Sequence, residues 1–256
     1  MTKSIIATIA VSLSGLFAAS AQQYVYPFPP PPPPPPPPPA YPAYPTSPAP
    51  VFVYVPPPDT GPYANFDVGP TFYQNGQLKT FGSSASGSVN YNVGASGDAA
   101  IGYAFNRYVA AGLEFGVNTT TINSIPGYYL NDAQIYNLPF LANITFTYPI
   151  PHSLITPYIG GGVGGSDSVF DPSSMSDVNF RNTVTGEQDD VVFAWEVYAG
   201  LRFQFSPNMS LGIGYKYFGT GNPNFSYPSY PAGPNFNVGF QGVETHSILA
   251  SFNMRF

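Results

Sequence analysis

His246-Ser-Ile-Leu-Ala-Ser-Phe-Asn-Met-Arg-Phe256 alternates by parity. Ile248, Ala250, Phe252, Met254 and Phe256 fall on one side. Ser247, Ser251, Asn253 and Arg255 fall on the other, with Leu249 the apolar exception. A period of two describes a strand with one apolar and one polar face. An edge strand of a soluble sandwich carries such faces too. Ending on an aromatic carboxyl terminus, however, the stretch reads as the closing strand of a transmembrane β-barrel, with lipid outside and a polar interior.

Composition agrees with that expectation. Charged residues make up 8% of the 256 and aromatic residues 16%, with 20 Tyr and 21 Phe against one Trp. Soluble domains carry about 25% charge. Few charges and many Tyr and Phe suit an apolar band flanked by aromatic girdles. Mean hydropathy is still close to zero at -0.02, because the two faces of each strand average out. A net charge of -6 argues against a nucleic-acid partner, which requires a basic surface. With no cysteine there are no disulfides, no thiolate chemistry and no lipid attached through an N-terminal Cys.

Residues 1–21 read as a cleavable signal peptide: Lys3, an apolar Ile5–Ala18 stretch, then small residues at Ala19-Ser20-Ala21. A membrane anchor is the alternative, but the apolar core is short and no stop-transfer flank follows. Beyond residue 22 no apolar run approaches the ~20 residues of a membrane helix, so a membrane-embedded chain must span as a closed barrel. Residues 22–62 change character, with unbroken proline from Pro29 to Pro39 and then Tyr41-Pro-Ala-Tyr-Pro. Proline lacks the amide donor, so an extended polyproline II segment is expected. It serves either as a stiff spacer or as a stalk that docks a periplasmic or cell-wall partner. An even-stranded barrel puts both its ends on the periplasmic side.

From residue 63 to 256 the period-two pattern recurs in eight segments. Lipid-facing sets include Phe66, Val68 and Phe72; Ile101, Tyr103 and Phe105; Leu113, Phe115 and Val117; and Leu138, Phe140, Ile144 and Phe146. They continue with Val191 through Phe205, and with Leu211, Ile213, Tyr215 and Tyr217. Connections near 107, 151 and 207 are short, whereas those at about 75–90, 119–134, 166–190 and 219–240 are long. Short turns on one side and long loops on the other is the outer-membrane arrangement. The inward parity carries Asp67, Asp98, Glu114, Glu196, Arg202, Lys216 and Arg255, the candidate interior charge network. Eight strands leave an interior that side chains just fill, so these charges are expected to neutralise one another. Asp67 and Arg255 fall near the periplasmic ends of the first and last strands. Asp98 and Glu114 need a cation, supplied by Arg202 or Lys216.

Three motifs are set aside. Gly160-x-Gly162-x-x-Gly165 formally fits a dinucleotide fingerprint, but it lies within a strand and opens no helix. His152 and His246 have no Ser and carboxylate at triad-like spacing. Asp167, Asp171, Asp177, Glu187, Asp189 and Asp190 fit no calcium-loop spacing and read as a solvated loop.

Thr156-Pro-Tyr-Ile-Gly-Gly-Gly-Val-Gly164, Phe193-Ala-Trp-Glu-Val-Tyr-Ala-Gly-Leu-Arg202, Leu211-Gly-Ile-Gly-Tyr-Lys-Tyr217 and the terminal stretch together resemble the small eight-stranded outer-membrane barrels. That group includes the transmembrane domain of outer-membrane protein A and the opacity-type surface proteins. The resemblance implies an all-β, eight-stranded antiparallel barrel in the outer membrane of a Gram-negative-type envelope. Its partners would be outer-membrane lipid and the barrel-assembly machinery, engaged through the strand ending in Phe256. A structural or surface-interaction role is expected, in envelope integrity or in adhesion through loops such as Pro223–Tyr230. The alternative is a narrow pore gated by the inward charges. No cofactor, metal or catalytic residue is expected.

Overall fold

A computed structural model describes residues 59–82, 87–179, 182–228 and 236–256. The expected signal peptide and nearly all of the proline segment lie outside these residues. Among the described residues the regular structure is all strand.

Eight strands close the barrel: β1 (Gly61–Tyr73), β4 (Val93–Ala104), β5 (Val109–Ser124), β6 (Tyr128–Thr147), β7 (Ile155–Asp177), β9 (Gln188–Ser206), β10 (Met209–Thr220) and β13 (Glu244–Arg255). Each pairs antiparallel with its neighbour in that order, and β13 returns to β1 with Tyr63 opposite Arg255 and Phe66 opposite Phe252. No barrel edge is left to pair with a second chain. The turn after β4 is built by Asn106, whose side-chain oxygen accepts from the amides of Tyr108 and Val109 at 2.7 and 2.9 Å. An Asx turn of this kind reverses the chain in few residues.

The alternation read from the sequence sorts the side chains as expected. Phe66, Ile101, Phe115, Phe140, Ile159, Val197, Leu201 and Ile213 are exposed on the outside, an apolar band for lipid. Leu249, the exception to the terminal parity, is buried in the lumen.

Two of the expected long loops prove to be largely strand. β5 and β6 run on until only residues 125–127 separate them, and β7 continues to Asp177 before a short β8 (Thr183–Val184) pairs back onto it. The acidic residues expected in a solvated loop lie mostly in β7 and β9, where Asp190 accepts a hydrogen bond from the Asn224 amide at 2.8 Å. The physical reason is that the inward parity changes chemistry without losing its period. Above Asn118 and Asn137 it turns apolar, at Ile122, Ile135 and Phe170, so these extensions hold together by a core of their own.

That core is closed from above by β2 (Gly76–Phe81), β3 (Gly87–Tyr91), β11 (Asn224–Tyr227) and β12 (Phe236–Phe240). They form a sheet in the order β11-β12-β2-β3 that continues onto β5. Leu78, Phe81, Val89, Phe225, Val238 and Phe240 pack from this cap onto Ile122, Ile135, Phe170 and Met175 of the barrel strands. The edge-on pairs Phe81–Tyr128 and Phe170–Phe240, with centroids 4.9 and 5.0 Å apart, join cap to barrel strands, while Phe81–Phe236 at 4.8 Å packs within the cap.

Candidate functional site: the filled lumen

Lys216 stands at the centre of the barrel. Strand β10 alternates Gly212, Gly214 and Lys216 inward, and the space over Gly214 is taken by the Tyr158 hydroxyl. Its ammonium lies 2.8 Å from Asp98 Oδ2, 2.5 Å from Glu114 Oε1 and 3.1 Å from Glu196 Oε2. These carboxylates come from β4, β5 and β9, on both flanks of the lumen, so one cation ties together strands that are not neighbours. All four side chains are at most 5% exposed. Glu114 also accepts from the Asn143 side-chain amide at 3.1 Å, while Glu196 Oε1 is buried without a hydrogen-bond partner.

Of the seven inward charges named from the sequence, four therefore meet and three do not. Asp67 pairs in register with Ser251 and accepts from its hydroxyl and from the Asn65 amide. Arg255 lies two inward steps nearer the periplasm, opposite Tyr63. Arg202 sits over the Tyr158 ring, 4.5 Å from its centroid, and faces the periplasmic mouth. Strand stagger separates these groups in height although parity points all of them inward.

Aromatic layers above and below the charges are what parity alone did not reveal. On the periplasmic side Tyr63, Tyr158 and Tyr198 lie across the lumen over glycines. A Cβ at Gly112 would come within 2.5 Å of the Tyr63 hydroxyl, one at Gly160 within 2.5 Å of the Tyr198 ring, and one at Gly214 within 2.5 Å of the Tyr158 hydroxyl. Tyr198 shares a 2.7 Å hydrogen bond with the Thr145 hydroxyl. In the glycine-rich stretch that mimics a dinucleotide fingerprint, Gly160 makes room for the Tyr198 ring and Gly162 for the Glu196 carboxylate. On the outer side Leu141, Ala194 and Phe218 form a small apolar layer, and the cap core closes the mouth beyond it. An internal cavity of about 30 Å³ remains beside Lys216, lined by Asp67, Glu114, Asn143 and Tyr158 among others. That is room for about one or two water molecules.

The histidines lie elsewhere. His152 occupies a periplasmic turn with a φ of 59°. His246 faces outward at the outer rim, 2.7 Å from Gln74 Nε2 and hydrogen-bonded to the Tyr215 hydroxyl, with the Tyr217 ring tilted against it at 4.9 Å. Among the described residues no group of His, Asp and Glu is arranged to hold a metal ion.

A family model described as the outer membrane protein beta-barrel domain matches residues 50–256. The chain belongs to the outer membrane protein β-barrel domain family. Membership in that β-barrel family places the chain in the outer membrane of a Gram-negative envelope, with outer-membrane lipid around the apolar band. Among solved structures it is similar to the outer membrane protein OprG from Pseudomonas aeruginosa, at 14% identity and a TM-score of 0.50, covering 77% of this chain and 98% of that one. It is also similar to Neisserial surface protein A, at 17% identity and a TM-score of 0.47, covering 77% and 97%. At 14% identity the likeness to OprG speaks to the β-barrel fold alone. No curated protein matches the chain.

Proposed function

We propose that this barrel is a closed membrane-embedded scaffold with a structural or surface-interaction role in the envelope, and that it performs no catalysis. The observation that supports this is the succession of seals along the lumen: tyrosine layer, Lys216 cluster, Leu141–Phe218 layer and apolar cap core. A hydrated ion would have to displace each in turn.

A surface role would fall to the polar outer side of the cap. Phe225 and Tyr227, which made Pro223–Tyr230 look like an aromatic adhesive loop, are buried in the cap core; Asn224 and Ser226 face solvent instead. Residues 229–235 lie outside the described ones. The proline-rich segment is proposed to act on the periplasmic side as a spacer or stalk for a cell-wall partner. We further propose export by a cleavable signal peptide and insertion by the barrel-assembly machinery through β13.

The second reading, a narrow pore, is favoured by the charged cluster and the small polar cavity beside it. Planar-bilayer recording separates the two. The full chain, reconstituted at neutral pH, is expected to give no stable conductance step. A reproducible step that changes size on Lys216→Ala would replace the scaffold reading with the pore.

A further inference from the structure

Three of the chain's seven basic residues, Arg107, Arg202 and Arg255, line one cavity at the periplasmic mouth. They reach it from the β4–β5 turn, from β9 and from β13. The cavity holds about 90 Å³, room for several water-sized atoms, and is open on one side. One carboxylate, Asp59, faces the three guanidiniums, 2.8 Å from Arg107. In a chain of net charge -6 the mouth is thus a local excess of positive charge. Behind that lining the Arg202 guanidinium rests over the Tyr158 ring, 4.5 Å from its centroid. Arg202 Nε is buried there without a hydrogen-bond partner. Gln204 and Asn253 also line the rim, their side-chain amides donating to the Pro207 and Ala64 carbonyls at 3.4 and 3.5 Å.

We propose that the periplasmic mouth is a binding site for a phosphate-type oxyanion. Guanidinium groups present planar forks of N–H donors that match phosphate oxygens in pairs, and a partly buried setting strengthens each contact. Arg202 already rests on the Tyr158 ring, so little side-chain freedom is lost on binding. The anion stops at this level. Past the tyrosine layer it would meet the Asp98, Glu114 and Glu196 carboxylates around a single ammonium. The mouth therefore retains an anion rather than passing it on, and the proposal stands apart from the scaffold and pore readings. Two sources share this chemistry at this depth: free periplasmic phosphate and the phosphodiester headgroups of the inner leaflet.

The test is calorimetric titration of inorganic phosphate into the full chain, purified in dodecyl maltoside and phosphate-free buffer at low salt. Saturable binding to one site is expected, weakening as ionic strength rises. Arg202→Gln with Arg255→Gln should weaken it by about tenfold or more, since charge-assisted contacts are lost. Arg107→Gln, on an exposed turn, should weaken it less and guards against a folding defect in the double variant. Heat-modifiable gel mobility confirms that each variant is folded. A short-chain phosphatidylglycerol that competes with phosphate identifies the headgroup as the source, and failure to compete identifies the free anion. Absence of saturable binding by both probes, or equal binding by folded wild type and folded double variant, overturns the proposal.

Discussion

Lys216 shows how one residue organises a barrel interior. It satisfies three carboxylates drawn from three strands, and removal of a buried partner leaves the others uncompensated. Lys216→Met is expected to destabilise the barrel by about 3–5 kcal/mol, read as a lower urea midpoint in detergent or liposomes. Glu196→Gln has the opposite logic. It keeps shape and removes one of three like charges crowded on a single ammonium, so its cost should stay below about 1 kcal/mol. A loss for Glu196→Gln as large as for Lys216→Met would show that each carboxylate is indispensable. Gly160 makes a separate case. A side chain there meets the Tyr198 ring, so Gly160→Val should cost about 1–3 kcal/mol through overpacking. Combining it with Tyr198→Ala should recover part of that loss, a non-additivity measurable in a double-mutant cycle.

Among the elements, the barrel strands and the cap are held by different forces. The strands close on each other through hydrogen bonds that lipid cannot replace. The cap sheet of β2, β3, β11 and β12 is held mainly by its aromatic core on the strand extensions. Phe240 is 1% exposed at the centre of that core. Phe240→Ala should remove about 3–5 kcal/mol from the cap. Limited proteolysis should then cut within residues 75–91 and 222–243 while the barrel keeps its heat-resistant gel mobility. Simultaneous loss of barrel mobility would mean that cap and barrel fold as one unit. On the lipid face the cost has another origin. Val197→Arg places a charge in the apolar band and should cost about 2–4 kcal/mol near mid-membrane.

For the molecule as a whole, the outer mouth and the middle of the lumen are closed independently. Replacing both cap segments by short turns should therefore leave planar bilayers silent, because the Lys216 cluster and the Tyr63–Tyr158–Tyr198 layer remain. A conductance step that appears on cap removal alone would make the cap the gate.

Parity in the sequence determined which side chains of each strand face lipid and which face the lumen. It did so because a strand's period is two wherever it lies, so Phe66, Phe115 and Ile213 could be placed outside and Glu114, Glu196 and Lys216 inside. The number of barrel strands was legible from the recurrence of that pattern in eight segments. Height along the barrel axis was not. It depends on how far each strand is staggered against the next, a property of the closed sheet and of no single segment. Register therefore chose Lys216 over Arg202 as the partner of Asp98 and Glu114, and separated Asp67 from Arg255. Tertiary packing likewise turned Phe225 and Tyr227 from loop residues into core, because only the folded cap brings them onto Phe170 and Phe240.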